Sequence, residues 1–237
     1  MPALTRRPLQ RLAVVISCEH GGNTIPAQYR RFFRGATKVL NSHRGWDAGA
    51  LVLARDLCAV LKCPLIASQT SRLLVDLNRS PHHRHVFSGY TRHCNSEIKQ
   101  DILQHHYYPY RANVEAVIRR LIQRQGFVLH LSVHSFTPEL KGIVRNADIG
   151  LLYDPARRNE SAFASRMQLS LRDRWRVRRN YPYRGTADGL TVWLRACFSN
   201  AHYAGIEIEV NQGIVTRGRA WAGLRTNIIE TVRELTR

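Results

Sequence analysis

The chain has 237 residues, 44% hydrophobic and 22% charged, which excludes a disordered or fibrous protein and predicts one sizeable domain over residues 1–237. Its 36 basic and 17 acidic residues leave a formal charge of +19. No apolar run approaches the ~20 residues of a membrane span, no leader pattern opens the chain, and its five cysteines lack paired or zinc-finger spacing, so a cytoplasmic protein with no disulfide framework and no membrane contact is expected.

In chain order, Leu12–Ser17 is short, apolar and β-branched and predicts a buried strand. Asp47–Leu61 predicts a helix with Ala50, Leu53, Ala54, Leu57 and Leu61 on one face, ended by Pro64. Pro64–Ser68 predicts a second strand. Ser71–His93 is polar, rich in His and Arg, and reads as loop. In it His82, His83 and His85 form a solvated group. Helical patterning from Ser96 to Gln125 must break or kink at Pro109. Strands are predicted at Phe127–Val133, Ile149–Tyr153 and Tyr203–Val210, and helices at Glu160–Arg174, Gly189–Phe198 and Ala220–Leu235.

Alternating strands and helices predict an α/β fold with a mostly parallel sheet covered on both faces. In such sheets the working crevice lies beyond the carboxyl ends of the strands. His20 follows the first strand, His134 ends the Phe127–Val133 strand, and Glu207 and Glu209 end the Tyr203–Val210 strand. Two imidazoles and a carboxylate converging there would suit a hydrolytic metal site, with zinc the expected ion at one per chain. The third ligand is open between Asp47, Glu19 and His43. Glu19 adjoins His20 and points the other way on an extended backbone, while Asp47 at a helix start could equally be an N-cap.

Six segments, SCEHGGNTIP, HRGWDAGAL, SRLLVDLNRS, LSVHSFTP, NYPYRGTADG and GIEIEVNQ, run in order from residue 17 to 212. Together they resemble the N-formylglutamate amidohydrolase family, zinc-dependent amidases of histidine degradation, with a more distant likeness to the zinc N-acetylmuramoyl amidases. The resemblance implies a three-layer α/β sandwich of zinc-exopeptidase type. It implies His20, His134 and Asp47 as metal ligands and Glu209 as general base, with Glu207 either orienting it or taking its place. It matches Arg72, Asp76, Asn78 and Arg79 to the substrate segment, with Asp76 orienting Arg79 or a ligand histidine. A dicarboxylate substrate such as N-formyl-L-glutamate needs cationic clamps, for which Arg72, Arg79 and Arg145 are the candidates. The sequence departs from members acting in histidine breakdown: it has HGGN and Glu207-Ile-Glu209, which opens the substrate to other N-acyl or cell-wall peptide amides. The alternative of another class is a basic nucleic-acid-binding protein on an inactive enzyme fold. Against it, all but Lys38, Lys62, Lys99 and Lys141 of the basic residues are arginines spread along the chain, outside any nucleic-acid-binding motif.

Overall fold

A computed structural model describes residues 11–237. Strand β1 (Arg11–Cys18) is followed by a 3-10 segment at Ala27–Phe33 and a short helix α1 (Thr37–Leu40). Then come α2 (Ala50–Leu61), β2 (Leu65–Ala67) and α3 (Ser96–Ile102). A π-helical turn at Leu103–Tyr107 leads into α4 (Tyr108–Gln125) and β3 (Gly126–Phe136). A two-stranded hairpin, β4 (Glu139–Leu140) with β5 (Ile143–Val144), precedes β6 (Ile149–Leu152), α5 (Arg158–Leu171), β7 (Val177–Arg179) and α6 (Leu190–Cys197). The chain closes with β8 (Tyr203–Asn211), α7 (Gln212–Val215) and α8 (Gly218–Leu235).

Six strands form one mixed sheet in the order β2-β1-β3-β8-β6-β7. All neighbours are parallel except β6, which runs antiparallel to β8. Side-chain alternation sorts the sheet into two faces. On one, Ile16, Leu129, Leu131, Ile206 and Ile208 pack against α2, α5 and α8 through Leu53, Leu57, Met167, Leu224 and Ile228. On the other, Ala13, Val15, Val128 and Tyr203 meet α4 and α6 through Val114, Ile118, Leu190 and Leu194. Helices therefore cover both faces, giving the three layers expected. A third cluster, including Tyr29, Phe33, Leu74, Leu77 and Tyr107, lies outside the sheet and anchors the Ser71–His93 segment, which is loop as expected but buried along Leu73, Leu74, Val75 and Leu77.

The differences from the sequence reading have local causes. α2 starts at Ala50 rather than Asp47 because Gly49 has φ 83°, a left-handed conformation that no helix carries through. The long helical stretch is not broken: it runs through the π turn at Leu103–Tyr107 into α4, and Pro109 falls just after that turn. The outermost strand, β7, is three residues long with two exposed arginines, the kind of edge that resists pairing with another chain. No helix among the described residues is long and apolar enough to cross a membrane.

Candidate active site

β1 and β3 are neighbours, but β2 lies on the outer side of β1 and β8 on the outer side of β3. The gap between β1 and β3 is thus the point where the chain's progress across the sheet reverses, the place where open α/β sheets form a crevice. His20 leaves the end of β1 and His134 stands near the end of β3. Parallel register sets Glu209 beside His134 and Glu207 beside Ser132 on the next strand. A cleft over this edge is lined by His20, Asp47, Arg72, Asn78, Arg79, His134, Tyr183, Arg184, Asp188, Glu207 and Glu209.

Asp47 is not a helix cap: the cap position is Gly49 and no side chain serves it. Its backbone N–H instead donates to the His20 carbonyl at 2.9 Å, which turns the carboxylate toward both histidines. Asp47 Oδ2 stands 2.9 Å from His134 Nδ1 and 3.4 Å from His20 Nδ1. One ligand atom from each of His20, Asp47 and His134 lies within 4.8 Å of the others, and all three residues are buried. His43, the other histidine considered as a ligand, is exposed and outside this cluster. The exposed or half-exposed His82, His83 and His85 likewise lie outside it.

Each histidine offers its Nδ1 because a second carboxylate engages its Nε2. His20 Nε2 is 2.8 Å from Asp76 Oδ1. His134 Nε2 is 2.9 Å from Glu19 Oε2. Glu19 does point away from His20, but that alternation carries it onto the face of the sheet occupied by Ser132 and His134. There Ser132 donates to it at 2.5 Å and Tyr110 at 2.8 Å. Glu19 is thus not one of the clustered ligand atoms but the orienting partner of His134. Asp76 orients His20 and also accepts from Arg72 at 2.7 Å, whereas Arg79 donates to the Asp188 carbonyl at 2.6 Å.

The charges follow. Burial alone would lower the pKa of both histidines. For His20, where Arg72 adds to that, Asp76 and Asp47 outweigh it and the pKa is raised. For His134, bonds to Asp47 and Glu19 raise it well above the usual value. Asp47, Glu19 and Asp76 are each depressed despite burial, by the histidines and, for Asp47 and Asp76, by Arg72 as well. Glu209 goes the other way: burial, with the charges of Asp47 and Glu207, pushes it to about 7 against the pull of His134 and Arg72. Its Oε2 is buried without a hydrogen-bond partner. Glu207 is engaged, its Oε1 accepting from Thr191 at 2.6 Å.

The donor set fits a divalent cation. Two imidazole Nδ1 atoms and a carboxylate make the three-ligand pattern of a hydrolytic zinc site, and carboxylates on the far ring nitrogens are the usual support for such ligands. Glu19→Gln and Asp76→Asn are each expected to weaken cation affinity about 10- to 100-fold, measured by competition with a chromogenic chelator.

The substrate-binding candidates divide. Arg79 and Asn78 line the cleft; Asn78 accepts from the Leu190 amide at 2.6 Å. Arg72 lines it too, with its Nη2 2.7 Å from Asp76 and its Nη1 3.4 Å from Asp47. Arg145 does not line the cleft: its guanidinium stacks 5.0 Å from the Tyr183 ring. Arg184, inside the NYPYRGTADG segment, lines the cleft where Arg145 does not. Only that segment's glycine- and proline-rich spacing signalled a loop over the site. Gly22 serves a close approach, since a Cβ there would stand 2.6 Å from the Gln69 carbonyl oxygen.

A family model described as "FGase: N-formylglutamate amidohydrolase" matches residues 12–215. Among solved structures, the gene product Atu2144 from Agrobacterium tumefaciens is 28% identical, with a TM-score of 0.79 over 94% of this chain and 92% of that one. An N-formylglutamate amidohydrolase from Ralstonia eutropha JMP134 is 19% identical, with a TM-score of 0.72 over 96% of this chain and 93% of that one, which shows a shared fold. No curated protein sequence matches the chain.

Proposed function

The chain belongs to the N-formylglutamate amidohydrolase family, and from that premise we propose that it hydrolyses the amide bond of a small acidic N-acyl amino acid, N-formyl-L-glutamate first, giving formate and L-glutamate. The observation that carries this reading is the buried His20–Asp47–His134 cluster sharing one cleft with the unpartnered carboxylate oxygen of Glu209. A divalent cation held by those three residues, zinc at one per chain in our reading, would polarise the scissile carbonyl and acidify the attacking water. Glu209 accepts the proton of the water whose oxygen bonds to the acyl carbon. The carbon–nitrogen bond then breaks, and Glu209 returns the proton to the leaving nitrogen. Glu207, held by Thr191 at 2.6 Å, stands two residues before it on the same face of β8. Arg79 and Arg184 present planar donors suited to the substrate's carboxylates.

The size of the cleft favours a small substrate. Its volume is about 160 Å³, against the 300–1,000 Å³ of pockets for drug-sized ligands. A panel of N-formyl, N-acetyl and muropeptide amides, scored by formate or free-amine release, tests the proposal. Turnover of N-formylglutamate above the rest supports it, and activity confined to muropeptides overturns it.

Cation affinity should depend on pH in a fixed direction. In the cation-free protein the raised pKa values of His20 and His134 keep their imidazoles protonated where a free histidine has let go. An incoming cation must displace those protons. Affinity therefore rises with pH through neutrality and flattens only above the raised values. Calorimetry in buffers of different ionisation enthalpy should show proton release on zinc binding at pH 7.

A further inference from the structure

Glu160 on α5 is fully buried, and the chemistry above makes no use of it. Its carboxylate accepts from Arg195 Nε at 3.0 and 3.1 Å, and from the backbone amides of Gly205 at 3.0 Å and Asp154 at 2.9 Å. A second guanidinium, from Arg157, stands 3.2 Å away. Arg195, on α6, places its other two nitrogens on carbonyls: Nη1 on Gly185 at 2.5 Å and Nη2 on Gly205 at 3.0 Å. One planar group thus ties together a buried carboxylate, β8 two residues before Glu207, and the 180–188 loop. That loop brings Tyr183, Arg184 and Asp188 to the cleft.

α6 meets the cleft at two further points. Thr191, one turn before Arg195, donates to Glu207, and the Leu190 amide donates to Asn78. A displacement of α6 would therefore reach the loop, β8 and the Asn78 segment together. Arginine can serve these three acceptors at once because its donors are fixed in one plane; lysine offers a single charged point and cannot span them.

We propose that Arg195, held by Glu160, is a positioning residue that fixes the 180–188 loop against β8 and so sets how tightly the cleft holds its substrate. The substrate part rests on the function proposed above; the restraint on the loop does not.

The test compares Arg195→Lys and Arg195→Met with Arg157→Met. Arg157 also faces Glu160, but its hydrogen bonds go to the carbonyls of Arg195, Phe198 and Tyr203 and none reaches the loop. Arg195→Lys keeps a positive charge beside Glu160, which preserves folding if the methionine variant does not fold. The first readout is hydrogen exchange at the Gly185 amide, bonded to Asn180 Oδ1 at 3.0 Å, and at the Ala187 amide, bonded to the Arg184 carbonyl at 2.9 Å. Both amides should exchange roughly tenfold faster in the Arg195 variants and at the wild-type rate in Arg157→Met. The second is kinetics on N-formylglutamate: KM should rise about tenfold with kcat within about threefold in Arg195→Lys, and both should stay unchanged in Arg157→Met. Bound zinc should be the same in all three.

Wild-type loop exchange and wild-type KM in Arg195→Lys, with only a lowered Tm, would overturn the proposal. So would equal loop acceleration in Arg157→Met, which would mean general loosening. If the wild-type protein releases no formate from N-formylglutamate, the function proposed above fails, while the exchange comparison still decides the role of Arg195.

Discussion

Glu209→Gln is expected to lower kcat by about 10² to 10⁴, the range for removing a general base, while leaving the bound cation in place. The isosteric amide keeps the volume of a side chain only 5% exposed and removes only its capacity to take a proton. Glu207→Gln should cost much less, because one oxygen of that carboxylate is already bonded to Thr191. The pH profile carries a second signature. A base works only when ionised, so activity disappears as pH falls through the Glu209 pKa. In the cation-free protein that value is raised to about 7, by burial first and then by Asp47 and Glu207. A cation beside it favours the charged form, so the acid limb of kcat/KM should lie below about 7. Retention of more than about a tenth of wild-type kcat in Glu209→Gln, outside the range for a lost general base, would exclude it as the base, and an equal loss in Glu207→Gln would leave the pair undivided.

His20→Ala and Asp47→Ala should each reduce bound zinc from about one per chain to a small fraction and abolish activity, since a catalytic zinc is held by three protein ligands. Untagged protein and elemental analysis are needed, because an affinity tag brings its own histidines. Asp47→Ala is the sharper variant: Oδ2 of that one side chain faces both histidines of the cluster. His43→Ala should be neutral on zinc and on activity, being exposed and outside the cluster. Full zinc occupancy in both His20→Ala and Asp47→Ala would place the cation elsewhere and end this account of the site.

Much of the sheet edge was legible because period-2 patterning fixes which side chains share a face. Once Leu12–Ser17, Phe127–Val133 and Tyr203–Val210 are read as parallel strands, His20, His134 and Glu209 must gather at their carboxyl ends. The partner of Glu19 was not legible, and for Asp76 the sequence left Arg79 and a histidine open, because each meets its histidine only after β1, β3 and the 71–79 loop have packed together. The sequence does show that Glu19 points away from His20; it does not show that β3 presents His134 on that same side. Arg145 illustrates the limit of residue type alone. Any arginine can hold a carboxylate, and this one's position depends on the hairpin between β3 and β6, whose two-residue strands are too short to leave a pattern. Arg184 was hidden for the opposite reason, since a loop has no periodicity from which to infer where each side chain faces.

The strand order has a consequence for how the protein is made. His20, Asp47 and His134 all belong to the first 134 residues, but the strand that fills the far side of β3 begins only at Tyr203. A ribosome will have delivered all three of these residues while β3, eleven residues long, still shows an open row of amides and carbonyls to its surroundings. Nascent chains are therefore most prone to stick to one another in that interval, and a truncation before Tyr203 should yield aggregates rather than a smaller cation-binding protein.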